Sequence, residues 1–263
     1  MRIIDYDQQE DWLSWFSDVL SDVVAQDALR KLRSSNFEYL HDAGGLVLDI
    51  VGEDRLAKVL SDRLEPYSFR VYHGTRLTDE EVLDVRTIGL VPLDLNARKA
   101  RYPLVFGKHE RWAEVVGSLE SVVERLRNEN LGNREDGRVW ACMSRAEQSG
   151  PYGMHYVRTG AEVDHHVGHA LFGDETGDEH LMRYGKPYLV PFVVPYAEAV
   201  CAVDHFRLPD DIRLPSLTRR LLDAWAFSHV DRNYRFAADN GSPQMGFLGS
   251  IQPSRIETFI EVQ

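Results

Sequence analysis

The sequence predicts an α+β fold, because stretches with apolar residues at helical spacing are interleaved with short β-rich runs bounded by glycine and proline. From Trp12 to Val24, apolar residues return every three or four positions, giving an amphipathic helix whose Trp12, Trp15 and Phe16 read as core. Two more helices are expected, from Asp27 to about Tyr39 and from Asp54 to Leu64, where Glu65-Pro66 stops the second. Gly44 to Val51 carries no clear assignment. Residues 1–66 thus form a helical N-terminal annex, and 67–263 a second, sheet-containing domain.

The second domain begins with the β-rich run Ser68-Phe69-Arg70-Val71-Tyr72, followed by His73-Gly74-Thr75 where the strand is expected to open into a loop. Thr78 and Glu81 are spaced as a capping box, and Gly89 with Pro92 ends the helix between them. Trp112, Val115, Val116, Leu119, Val122, Val123 and Leu126 predict one long amphipathic helix ending near Leu131-Gly132-Asn133. A strand from Arg138 to Ser144 precedes the turn Gln148 to Gly153 and the segment Met154-His155-Tyr156-Val157. Tyr188 to Pro195 is another strand, and its two prolines argue for an edge or for bulged ends. Ser216 is placed to cap a helix running to Phe227.

Composition narrows the function classes. With 263 residues, 43% of them hydrophobic, the chain can bury a core large enough for an enzyme. No run approaches the roughly 18 apolar residues of a membrane span. The opening Met1-Arg2-Ile3-Ile4-Asp5-Tyr6 lacks signal-peptide features, so a cytoplasmic location is expected. Cys142 and Cys201 lie in apolar contexts and are expected as buried thiols. Thirty Lys and Arg against 42 Asp and Glu leave a formal charge of -12, which repels polyanions at long range. Locally, Arg98, Lys99, Arg101, Lys108 and Arg111 beside Tyr102, Phe106 and Trp112 form a basic and aromatic stretch. It is either a solvated face or a grip for phosphate or a base.

The order strand, Tyr72-His73-Gly74-Thr75, capped helix, Ile88-Gly89-Leu90-Val91-Pro92 resembles the start of the ADP-ribosyltransferase catalytic domain, in its poly(ADP-ribose) polymerase and diphtheria-toxin-like branch. The resemblance implies a split, mainly antiparallel sheet with flanking helices, and NAD as substrate. It implies that His73 contacts a ribose hydroxyl, that the Gly74 backbone holds the nicotinamide amide, and that Thr75 completes this cofactor-binding segment. Glycine there lets a planar ring lie close to the main chain. Trp140 or Ser144 would fill the family's second-strand position, and Tyr152 or Tyr156 would stack on nicotinamide.

The tail from Gly246 to Val262 resembles the family's closing strands, but the acid expected just before them is absent and Gln244 is the nearest polar residue. Glutamine can hydrogen-bond a hydroxyl but brings no charge to a cationic transition state. Asp239 or Glu257 are alternative acids, although Glu257 and Glu261 read as solvated-face residues of a last strand.

The resemblance therefore implies transfer of ADP-ribose to a macromolecular acceptor, protein or nucleic acid. A bacterial toxin or anti-phage effector with an antitoxin partner is the context by analogy. The alternative on the same fold is an inactive NAD or ADP-ribose sensor. A metal-dependent hydrolase is a third reading, since Asp164-His165-His166-Val167-Gly168-His169 has a His-x-x-His pair with an acidic run from Asp174 to Glu179 after it. Otherwise that segment is a polar loop between two strands.

Overall fold

The computed structural model describes residues 2–129, 137–150, 153–204, 214–235 and 243–262. The fold is α+β. Among the described residues, six strands form one sheet in the order β5-β3-β2-β4-β6, with β1 beside β2. They are β1 (Arg2–Ile4), β2 (Tyr67–Leu77), β3 (Val139–Cys142), β4 (Lys186–Pro195), β5 (Gln244–Phe247) and β6 (Ile260–Glu261). The β1 and β2 strands run parallel, with Ile3 opposite Ser68, whereas β4 and β6 run antiparallel, with Leu189 opposite Ile260.

The chain divides into two compact units, one of 1–71, 142–146 and 193–245, the other of 72–141, 147–192 and 246–263. The helices expected over 1–66 therefore belong to a larger unit that also takes in later parts of the chain. These helices are α1 (Gln9–Leu20), α2 (Gln26–Ser34), α3 (Leu40–Val51) and α4 (Glu53–Leu64). Trp12, Trp15 and Phe16 are buried core residues. Both indoles are satisfied: Trp12 Nε1–H donates to the Tyr6 carbonyl and Trp15 Nε1–H to the Tyr67 hydroxyl. The second helix stops at Ser34, five residues short of the expected end at Tyr39.

The unassigned segment around Gly44 is helical, and its glycines explain both the helix and its poor legibility. Helix α3 packs extensively on the long late helix of this unit, Ser216–Ser228. A Cβ on Gly44 would lie 1.7 Å from Asp223 Oδ1 and 3.0 Å from its Cα. The glycine thus sits where two helix backbones approach, although it lowers helix propensity by about 1 kcal/mol. Asp223 accepts from Arg219 Nε at 2.7 Å, and Arg219 also donates to the His41 carbonyl at 3.1 Å. Pro215, not Ser216, occupies the cap position of that late helix, and no side chain caps it. Cys201 is exposed, contrary to expectation, while Cys142 is buried. On the helix Tyr196–Asp204 the buried stripe is Tyr196, Ala199 and Ala202, and Cys201 falls off it.

In the second unit, α5 (Asp79–Ile88) carries the full capping box. Thr78 Oγ1 accepts from Glu81 N at 3.2 Å, Glu81 Oε2 accepts from Thr78 N at 2.8 Å, and Gly89 ends the helix at φ 92°. Then follow α6 (Leu95–Lys99), α7 (Tyr102–Phe106), α8 (Trp112–Val115) and α9 (Leu119–Asn128). The single helix expected across Trp112 to Leu126 is interrupted by a 3-10 turn at Val116–Ser118, where Gly117 and Ser118 favour helix weakly. Its expected end at 131–133 lies outside the described residues.

Beyond the short helices α10 (Arg145–Gln148) and α11 (Met154–Thr159), the histidine segment is helix α12 (Glu162–Phe172), not a loop. Its apolar residues Val163, Val167 and Leu171 recur at helical spacing and enter a core with Leu95, Phe106, Val123 and Leu181. A turn at Gly173 (φ 73°) leads to α13 (Asp174–Arg183), and Gly168 and Gly177 let the two helices meet closely.

Strand β4 is interior to the sheet rather than at its edge. Pro191 is tolerated because its carbonyl accepts from Glu257 N at 2.8 Å on the side where regular pairing with β6 is confined to Tyr188 and Leu189. A missing N–H on that side breaks no continuous ladder. In the tail, Ile251 bridges Leu90, Pro253–Arg255 forms a 3-10 turn, and Glu257 lies outside β6.

The Gly44→Ala substitution is expected to destabilise the protein by about 1–3 kcal/mol, the scale of overpacking. Urea unfolding measures it; an unchanged midpoint would mean that the two helices can separate at no cost.

Candidate functional site

His73, Gly74 and Thr75 stay within β2, which continues to Leu77 instead of opening into a loop. Two sheet neighbours, β3 and β4, flank the strand and keep it extended. These three residues line a cavity of about 510 Å³ in the second unit. Ligand pockets commonly fall between about 300 and 1,000 Å³. Its other walls come from α5 (Glu81, Asp84), the segment Leu90 to Asp94, α6 and α7 (Arg98, Arg101, Leu104), β3 (Val139, Trp140), and Tyr156 and Tyr184.

The imidazole of His73 is fixed by its Nδ1, which lies 2.6 Å from the Trp140 carbonyl oxygen. A carbonyl only accepts, so Nδ1 carries the proton and Nε2 is left as an acceptor. Burial lowers the His73 pKa below its ordinary 6.5, the carbonyl opposes this, and the nearby Arg98 charge lowers it further. The group is therefore a neutral imidazole at pH 7.

The side of Gly74 on which a Cβ would project faces protein side chains. A Cβ there would meet Gln148 Oε1 at 2.5 Å and Val157 Cγ2 at 3.2 Å, so protein side chains already fill that space. Its backbone nonetheless borders the cavity.

One wall is built on a buried carboxylate. Asp164, at 1% side-chain exposure, accepts from Arg98 Nε at 2.9 Å and from Arg98 Nη2, and Arg101 Nη1 approaches it at 3.3 Å. Arg101 Nε also pairs with Glu81 at 3.1 Å, and its guanidinium lies 4.9 Å over the Tyr184 ring. Burial works against the charge on Arg98, but Asp164 outweighs it and raises the Arg98 pKa above the ordinary value. Beneath them Arg76, 8% exposed, donates to the carbonyls of Tyr184, Val157, Met182 and Gly185.

Within the basic stretch, Arg98 and Lys99 lie on α6 and Tyr102 and Phe106 on α7, so this part of it is helical. Tyr102 and Phe106 are core residues, Lys99 pairs with Glu120 at 2.6 Å, and Arg111 donates to the Phe172 carbonyl at 3.0 Å. Arg98 and Arg101 are the members of the stretch that reach the cavity.

Of the residues singled out from sequence, His73, Gly74, Thr75, Trp140 and Tyr156 come together at this cavity. Ser144 and Gln244 are not among its lining residues. Ser144 is buried and its hydroxyl donates to Asp7 Oδ1 at 2.7 Å, while Gln244 begins β5 and is exposed. Tyr152 and Asp239 lie outside the described residues.

Sequence reasoning missed Asp164, Glu81 and Tyr184 as parts of one site. The capping-box spacing located Glu81 but not its second bond to Arg101.

The histidines of α12 turn to separate partners. His165 Nδ1 lies 2.7 Å from Asp178 Oδ1, and His166 Nε2 lies 3.5 Å from Glu162. Among the described residues, no three His, Cys, Asp or Glu side chains gather as a metal site. Also among these residues, no helix is long and apolar enough to cross a membrane.

No protein-family model, curated protein or solved structure matches the chain.

Nitrogen-15 NMR is expected to show His73 neutral at pH 7, protonated at Nδ1, with a pKa below 6.5. Because the unfolded chain takes up this proton first, the stability due to neutral His73 is full above about pH 6.5 and declines as pH falls toward the lower folded value. Titration at or above 6.5 would contradict the assignment.

Proposed function

We propose that the protein binds NAD in the His73 cavity and transfers its ADP-ribose to a macromolecular acceptor, on a split sheet of ADP-ribosyltransferase type. The observation that carries this reading is that five residues, His73, Gly74, Thr75, Trp140 and Tyr156, selected by their likeness to that family, share one cavity of dinucleotide scale. His73 Nε2 accepts a ribose hydroxyl, the Gly74 backbone holds the carboxamide, and Trp140 and Tyr156 offer aromatic faces to nicotinamide. In the reaction the bond between ribose C1′ and the nicotinamide nitrogen breaks, and its electron pair leaves with neutral nicotinamide. An acceptor nucleophile, protein or nucleic acid, then bonds to C1′ and loses its proton to solvent. No metal enters this scheme.

The developing charge at C1′ is positive, and a nearby carboxylate stabilises it. Gln244 supplies none, but Glu80, Glu81, Asp84 and Asp94 line the cavity. The exposed, uncharged Gln244 favours a second reading, an NAD or ADP-ribose sensor without transfer. A cytoplasmic toxin or anti-phage effector held by an antitoxin is the setting we propose for an active enzyme, by analogy alone.

Nicotinamide release from NAD by the purified protein, with and without cell lysate, tests the reading. Release that depends on lysate, persists in chelator and falls about 100-fold in His73→Ala is expected for a transferase, the loss of roughly 2–3 kcal/mol of transition-state stabilisation. His73-dependent NAD binding without release would select the sensor. Absence of binding would remove both.

A further inference from the structure

We propose that the Arg98–Arg101 corner of the cavity is a diphosphate site, so that the ligand is recognised through its anionic bridge as well as through His73. The inference deepens the NAD reading and rests on it for the identity of the anion, a nucleoside-linked diphosphate.

The first support is the set of guanidiniums. Arg76, Arg98 and Arg101 cluster here, and the carboxylates bonded to them are Asp164 and Glu81. Arg76 is held by carbonyl oxygens alone among the described residues. Counting only groups bonded to one another, three guanidiniums face two carboxylates at this corner, while Glu80, Asp84 and Asp94 also line the cavity. Recognition of an anion here rests on directed guanidinium hydrogen bonds and not on the net charge of the cavity.

The second support is geometry. Arg98 commits Nε and Nη2 to Asp164, which locks the plane of its fork, while Nη1 has no hydrogen-bond partner among the described residues. A guanidinium held on one edge and open on the other needs no reordering to bind a phosphoryl oxygen. Arg101 is held on all three nitrogens, by Glu81, Asp164 and the Arg76 carbonyl, so Arg98 carries the open edge of this corner. Arg98 and His73 line the same cavity, so one ligand can meet both groups.

Binding of ADP-ribose, nicotinamide riboside and inorganic pyrophosphate to wild type, Arg98→Gln and Arg98→Lys tests this. The lysine variant retains the charge beside Asp164 and guards against misfolding. ADP-ribose is expected to weaken about 30-fold in Arg98→Gln and less in Arg98→Lys, on the scale of one charge-assisted bond. Nicotinamide riboside should change less than about 3-fold, because it carries no diphosphate, and pyrophosphate should compete with ADP-ribose in wild type only. Parallel weakening of ADP-ribose and nicotinamide riboside, or unaltered ADP-ribose affinity in a folded Arg98 variant, would make the corner purely structural. If wild type binds neither nucleoside ligand, the NAD reading fails separately; Arg98-dependent pyrophosphate binding would still support an anion corner, and its absence would overturn that too.

Discussion

A single buried carboxylate, Asp164, organises the cavity wall of the second unit. It lies on α12, whose apolar stripe is anchored in a core shared with α6, α7, α9 and α13. An isolated charge at 1% exposure is untenable, so the carboxylate draws Arg98 from α6 and Arg101 from the start of α7 onto itself. Arg101 in turn reaches Glu81, which caps α5. One anion thereby ties three helical segments to a common wall. Breaking such a pair from one side typically costs about 3–5 kcal/mol, since the remaining charge is left buried.

Opposite in character is the β2 side of the cavity, which is fixed by backbone. Because β2 stays extended through His73, Gly74 and Thr75, the imidazole is held by the carbonyl of Trp140 and not by a mobile loop. The resulting neutral ring offers one acceptor in a defined direction. A site built on paired strands is more rigid than one on a loop, which suits recognition of hydroxyl groups whose positions differ by small distances.

Local signals were legible in the sequence where they depend on neighbours close in the chain. The Thr78–Glu81 capping box, the Gly89 stop and the Trp12, Trp15 and Phe16 stripe all follow from spacing, and all are present. The α3 helix was hidden because Gly44 satisfies a distant partner, Asp223, and not its own helix. The histidine segment looked like a polar loop because its histidines obscured the Val163, Val167 and Leu171 stripe. Arg98 and Arg101 were visible as basic residues, but their restraint by Asp164, more than sixty positions away, has no local signature. The crowding around Gly74 likewise comes from Gln148 and Val157, more than seventy positions on, and has no local signature.

Crystallography with a bound non-hydrolysable NAD analogue probes the cavity most directly. Nicotinamide is expected beside Gly74, Trp140 and Tyr156, a ribose hydroxyl on His73 Nε2, and the diphosphate at Arg98. An analogue bound outside this cavity, or within it but away from His73, would contradict this placement.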